Sequence, residues 1–141
     1  MNFLKLFMLT TFLTVSSNNV FSAGSSSDSN NTKTKSSAYL SAEKFINKKQ
    51  FSNAIIKLNE ALATDSKDAD IYNYLGFSHR KLGKMEKAAF FYNKALIINP
   101  KHKGALEYQG EMFLTLNHIG KAEENLKKLD NICFLGCSEF D

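Results

Sequence analysis

Ala54, Ala88 and Ala122 stand 34 residues apart, and so do Leu58, Tyr92 and Leu126. The same interval carries Ala42 to Gly76 and Gly110, and, three residues later, Phe45 to His79 and Phe113. A recurrence of that length means one small supersecondary unit used three times, and such a unit cannot bury its apolar face without a neighbour. The chain is thereby restricted to a stacked array with one continuous core. Within each copy an apolar pattern of period 3.6 appears twice around a short polar break, which reads as two antiparallel helices. In the middle copy they are expected over residues 70–82 and 85–98. Gly83 supplies a left-handed residue to close the first helix. Asn99-Pro100 ends the second, because proline disfavours helical geometry in the residue before it. Gly76 and Ala88 are small where the two helices meet, and Tyr72, Leu75, Tyr92 and Leu96 fill the space around that contact. Phe45, His79 and Phe113 are then core positions of the first helix of each copy.

The middle copy resembles the tetratricopeptide repeat family: Tyr72, Leu75, Gly76, His79, Ala88, Tyr92, Ala95 and Pro100 fall on its signature positions. The copies divide as 35–68, 69–102 and 103–136. The first has Ser41 for the usual Leu and Ser66 for the usual Pro; the third has Gln109 for Leu, Leu129 for the small Ala and Phe134 for Pro. The resemblance implies an all-α solenoid of helix-turn-helix repeats, about six helices in a right-handed superhelical stack. It also implies a non-catalytic scaffold that holds a protein or peptide partner in a concave groove lined by the first helix of each copy. Carried over position by position, that groove takes Tyr39, Glu43, Ile46 and Asn47 from the first copy. The second contributes Asp70, Asn73, Phe77, Arg80 and Lys81, and the third Glu107, Glu111 and Leu114. Phe77 stands out, either as a seat for an apolar side chain beside Asn73 and Arg80 or as a residue packed against the next first helix. One subclass of the family grips a terminal carboxylate with paired Lys and Asn; here the corresponding positions hold Tyr39 with Glu43, then Tyr74, then Gly104 with Tyr108. That mode of binding is disfavoured.

Residues 1–22 read as a secretory signal peptide, with Lys5 before a short apolar run over residues 6–15 and Val20 and Ser22 at the cleavage positions. The run is too short to span a bilayer, so no stable membrane anchor is expected after its removal; an uncleaved anchor is the alternative. Residues 24–37 contain no large apolar side chain, and the stretch 23–34 is assigned as a disordered leader. The expected compartment is the periplasm or the exterior. Arg80 is the single arginine among 18 basic residues, and the lysines are scattered, which argues against a nucleic-acid partner.

Cys133 and Cys137 are the only cysteines. In an exported chain they are expected to form a disulfide that places Phe134 and Leu135 against Leu126 and Leu129. The alternative is a soft-metal or thiol-redox accessory site, aided by Met112 or His118. The last helix is expected over residues 121–130, followed by an apolar tail that caps the third copy or joins two chains as a homodimer. Glu123-Glu124 and the acids at 68–70 sit where helix starts favour negative charge, and His79, His102 and His118 share no local motif. No catalytic set, resident metal or cofactor is expected.

Overall fold

A computed structural model of the chain describes residues 34–134. They form α1 (Ser37–Asn47), α2 (Phe51–Thr64), α3 (Ala69–Lys81), α4 (Met85–Ile98), α5 (Lys103–Thr115) and α6 (Ile119–Cys133), with no strand among the described residues. The expected signal segment, all of the leader but Thr34, and Cys137 lie outside the described residues. The helices pair as α1 with α2, α3 with α4 and α5 with α6. The pairs join through α2 against α3 and α4 against α5, and α3 also meets α5. This is the expected all-α helix-turn-helix solenoid.

One turn is built three times. Lys49, Gly83 and Asn117 all have positive φ (57°, 73° and 56°) and again stand 34 residues apart. At each, the left-handed residue donates its N–H back to Ile46, Arg80 or Leu114, and the residue after it donates to the carbonyl of Phe45, His79 or Phe113. These paired bonds satisfy the last carbonyls of α1, α3 and α5 and reverse the chain within two residues. Only Gly83 betrays the turn in sequence. Asparagine tolerates the left-handed region, whereas Lys49 bears a Cβ penalty of roughly 1–2 kcal/mol there.

The other connections close differently. Asp65 and Asn99, also 34 apart, are extended residues whose side chains accept from the N–H groups of Lys67 (3.3 Å) and Lys101 (3.0 Å). This local side-chain turn ends α2 without the proline that Ser66 replaces. Cys133 occupies the equivalent place in the third copy and cannot make that bond, and Phe134 stands where Pro100 does. The helix expected to stop at 130 therefore runs on to Cys133, and Phe134 itself remains right-handed helical (φ −52°, ψ −24°). Phe134 is 88% exposed, so it does not pack on Leu126 as expected. The soft-metal alternative also loses its helpers. Met112 is fully buried against Ala88 and Tyr92, and His118 lies at the far end of α6 from Cys133, about 20 Å away at 1.5 Å per residue.

The core of the first hairpin gathers Tyr39, Ala42, Leu58 and Ala61 with Ile71 and Leu75 of α3. In the middle hairpin Gly76 faces Tyr92: a Cβ on Gly76 would come within 2.6 Å of the ring. The first hairpin solves the same contact the other way round, with Ala42 and the narrower Leu58. His79 is buried and lies flat on Phe91, ring centroids 5.2 Å apart. Burial, with Lys87 and Lys84 nearby, pushes its pKa below the ordinary histidine value. Gln109, which departs from the signature, is buried in a polar chain. It donates to Asn93 (2.8 Å) and accepts from Asn125 (3.0 Å), which also donates to the carbonyl of Leu106 (3.1 Å).

Two outcomes follow from this packing. Gly76→Ala should lower stability by about 1–3 kcal/mol, since the ring must move in a filled core. Adding Tyr92→Leu, the pairing that Ala42 and Leu58 already use, should return part of that loss; urea midpoints of the single and double variants measure it. The folded pKa of His79 lies below that of the unfolded chain, about 6.5, so its stabilisation is complete above that pH. It fades as pH falls, because the unfolded chain takes up the proton first. His79→Phe should flatten the stability profile between about pH 7 and pH 5 relative to the parent; parallel profiles would show that His79 does not set it.

Candidate peptide-binding groove

The first helices of the hairpins, α1, α3 and α5, place the twelve expected groove residues in very different surroundings. Tyr39 is buried, 5% exposed, with its ring 5.6 Å from that of Tyr74 and the Lys35 ammonium 4.5 Å over its face. Burial, reinforced by Tyr74 and nearby carboxylates, holds its phenol protonated far above neutral pH. Asn73 is buried as well. Its Nδ2 lies where a Cβ on Gly104 would meet it at 3.1 Å, and its Oδ1 has no hydrogen-bond partner among the described residues. Tyr39 and Asn73 thus form part of the wall between repeats rather than an open surface, because each faces the next first helix across a close approach.

Asp70 is drawn away from the groove as well. Its carboxylate accepts from Nε2 of His102 at 2.9 Å and from Lys35, which also binds Asp68 at 2.7 Å. The tautomer of His102 is set by its other nitrogen, Nδ1, which accepts from the N–H of Ala105 at 3.1 Å and caps α5. The His102 bond, aided by Lys35 and opposed by burial, holds Asp70 well below the usual carboxylate range. The starts of α1, α3 and α5 are tied together by this cluster. Lys35 and Ser36 open the first copy: Lys35 carries the tie and Ser36 caps α1 by accepting from the N–H of Tyr39 at 3.2 Å.

Phe77 is half-buried, 5.0 Å from the ring of Tyr108 and 6.0 Å from that of Phe51, with Lys81 5.2 Å over its face. Of its two sequence readings, packing against the next first helix is the one that holds for most of the ring. Arg80 reaches across the same boundary. Its side chain is 11% exposed, pairs with Glu111 at 2.6 Å and lies over Tyr108. Glu43 accepts from the hydroxyl of Tyr74 at 3.3 Å. Ile46 and Glu107 are half-buried, Asn47, Lys81 and Glu111 are exposed, and Leu114 stands out at 56% exposure.

The sequence reading missed Tyr74 and Tyr108 as groove residues, although they too stand 34 apart. With Phe77 they make an aromatic surface across α3 and α5, bordered by Glu43, Lys81 and Glu111. Burial first, then nearby carboxylates, raises the pKa of both phenols. At neutral pH they are hydroxyl groups: that of Tyr74 donates to Glu43 and can accept from a peptide N–H, and that of Tyr108 can donate to a peptide carbonyl. Cys133 ends α6 and lines a groove of the third hairpin, and among the described residues no group of three or more His, Cys, Asp and Glu side chains is placed to hold a metal ion.

Residues 69–102 match the model of the tetratricopeptide repeat, the same span as the middle copy. The uncharacterized protein ycf37 of Guillardia theta is 32% identical over 85 residues, covering 57% of this chain and 48% of that protein. The chain thus spans about half the length of the curated relative it matches. Among solved structures, the second TPR of Spaghetti (RPAP3), bound to the HSP90 peptide SRMEEVD, superposes with a TM-score of 0.64 at 17% identity, covering 68% of this chain and 89% of that one. The first TPR of the same protein, with the same peptide, gives 0.64 at 15% identity over 67% and 75%. At those identities the likeness is one of fold. The segment 69–102, which matches the tetratricopeptide repeat, is flanked on both sides by a hairpin with the same turn.

Proposed function

We propose that the protein is a non-catalytic scaffold that holds an extended segment of a protein partner along α1, α3 and α5. The observation that carries this reading is the aromatic surface of Tyr74, Phe77 and Tyr108, whose partly open rings can take an apolar side chain while the two hydroxyls and the exposed Asn47 and Lys81 bind its backbone. The superposable RPAP3 repeats each hold a peptide, which supports the mode of binding but not the ligand. Where a carboxylate-gripping groove needs paired Lys and Asn, this one presents tyrosines and the carboxylates of Glu43, Glu107 and Glu111. The ligand proposed here is therefore an internal segment with an apolar anchor, not an acidic chain end.

The same reading places the protein in the periplasm or outside the cell, after removal of residues 1–22. There Cys133, at the very end of α6, would join Cys137, since a bridge between residues four apart needs the helix to have ended between them.

Peptides selected from a random library on the full chain should share one apolar anchor. Phe77→Ala should weaken them about 30-fold, the equivalent of about 2 kcal/mol for a central anchor, with the helical circular dichroism unchanged. Equal affinity for parent and variant would put the ligand elsewhere. Protein recovered from the native host should begin at Ala23 and alkylate at two thiols only after reduction. Recovery from the cytosol with Met1 in place would remove the export reading.

A further inference from the structure

The middle hairpin shows what covers a hairpin in this chain. On α3 and α4, Ala88 and Tyr92 receive Met112 of α5, Phe77 receives the ring of Tyr108, and Asn93 accepts from Gln109. Moved by 34 residues, that seat falls on α5 and α6, where it is a groove of about 460 Å³. Its floor is Leu106, Ala122, Leu126 and Leu129. Nothing among the described residues covers it: Leu126, the counterpart of the fully buried Tyr92, is 58% exposed.

The two seats differ in charge. Asn73, Phe77, Ala89 and Leu96 of the middle hairpin become Glu107, Glu111, Glu123 and Asp130 in the terminal one, and no basic residue lines the groove. Glu111 is already paired with Arg80, whereas Glu123 and Asp130 are exposed on the α6 side. An apolar floor with carboxylates along it selects a complementary occupant. We infer that the α5–α6 face docks a basic amphipathic helix of a partner protein, laid in as a seventh helix where α5 lies on the hairpin before it. By the measure of α3 and α5, thirteen residues fill such a seat. The partner helix carries an apolar stripe at i, i+3, i+4 and i+7, with Lys or Arg beside it. The seat shares Glu107 and Glu111 of α5 with the aromatic groove, but Leu126, Leu129, Glu123 and Asp130 belong to it and Phe77 does not, so variants at Leu126 and Phe77 distinguish the two. Residues 135–141 make a poor occupant, for they bring Glu139 and Asp141 and no basic residue to an acidic seat.

Two capped fourteen-residue helical peptides with the same Leu/Ala stripe, one flanked by lysines and one by glutamates, test this against the full chain by fluorescence anisotropy. The lysine peptide should bind and weaken with added salt, and the glutamate peptide should bind at least about tenfold less tightly. Glu123→Lys with Asp130→Lys should cost the lysine peptide about tenfold, and so should Leu126→Ser, which keeps every carboxylate. Phe77→Ala should leave it unchanged. Indifference to Leu126→Ser would reduce the contact to unspecific charge and overturn the inference. So would a complete lack of binding, the result if residues 135–141 already fill the seat, and so would self-association of the parent that Leu126→Ser abolishes, since that assigns the face to a second copy.

Discussion

The Tyr92 ring lies against the backbone of Gly76, where no Cβ fits, and packs with Met112 of the next hairpin. Every hairpin in this chain meets the same constraint: a pair of eleven- to fifteen-residue helices has too little surface between its own partners to be stable, and its outer face must be covered by the next first helix. Tyr92 serves both contacts at once. That is why the middle hairpin has the fullest core, why its neighbours tolerate departures from the repeat pattern, and why the position that corresponds to Tyr92 in the last hairpin, Leu126, lies bare once nothing follows it among the described residues.

The period and the helix pairs were legible in sequence because both follow from apolar spacing. Helix α4 matches its expected bounds, and α3 departs by one residue at each end. What was not legible was polar pairing over a distance. Lys49 and Asn117 give no glycine signal for their left-handed turns. The bond between Asp70 and His102 joins residues 32 apart in sequence, and that between Arg80 and Glu111 joins residues 31 apart. A face assignment by helix position put Tyr39, Asn73 and Arg80 in an open groove. It cannot see that the next first helix approaches closely enough to bury them, because that approach is set by small residues on the neighbour, such as Gly104 beside Asn73. The aromatic surface is hidden in sequence for a related reason: the repeat signature marks Tyr74 and Tyr108 only as clamp positions that lack Lys and Asn.

The third copy shows what departure from a repeat signature means physically. Gln109 in place of an apolar residue would cost a buried amide its hydration if it stood alone. It does not: Asn93, Gln109 and Asn125 are bonded in sequence across α4, α5 and α6. A paired polar chain of this kind fixes the relative rotation of its helices more narrowly than interchangeable methyl groups would, because each bond is lost within a small displacement. The substitution is thus matched by its neighbours, and the third hairpin keeps its register on α4 with a smaller apolar core. The first hairpin pairs its departures too, Asp65 ending α2 where Ser66 has replaced the proline. Both outer copies therefore preserve the geometry of the repeat with different chemistry. This leaves their outward faces free to differ in charge from the middle copy without loss of the stack, and in the terminal hairpin they do.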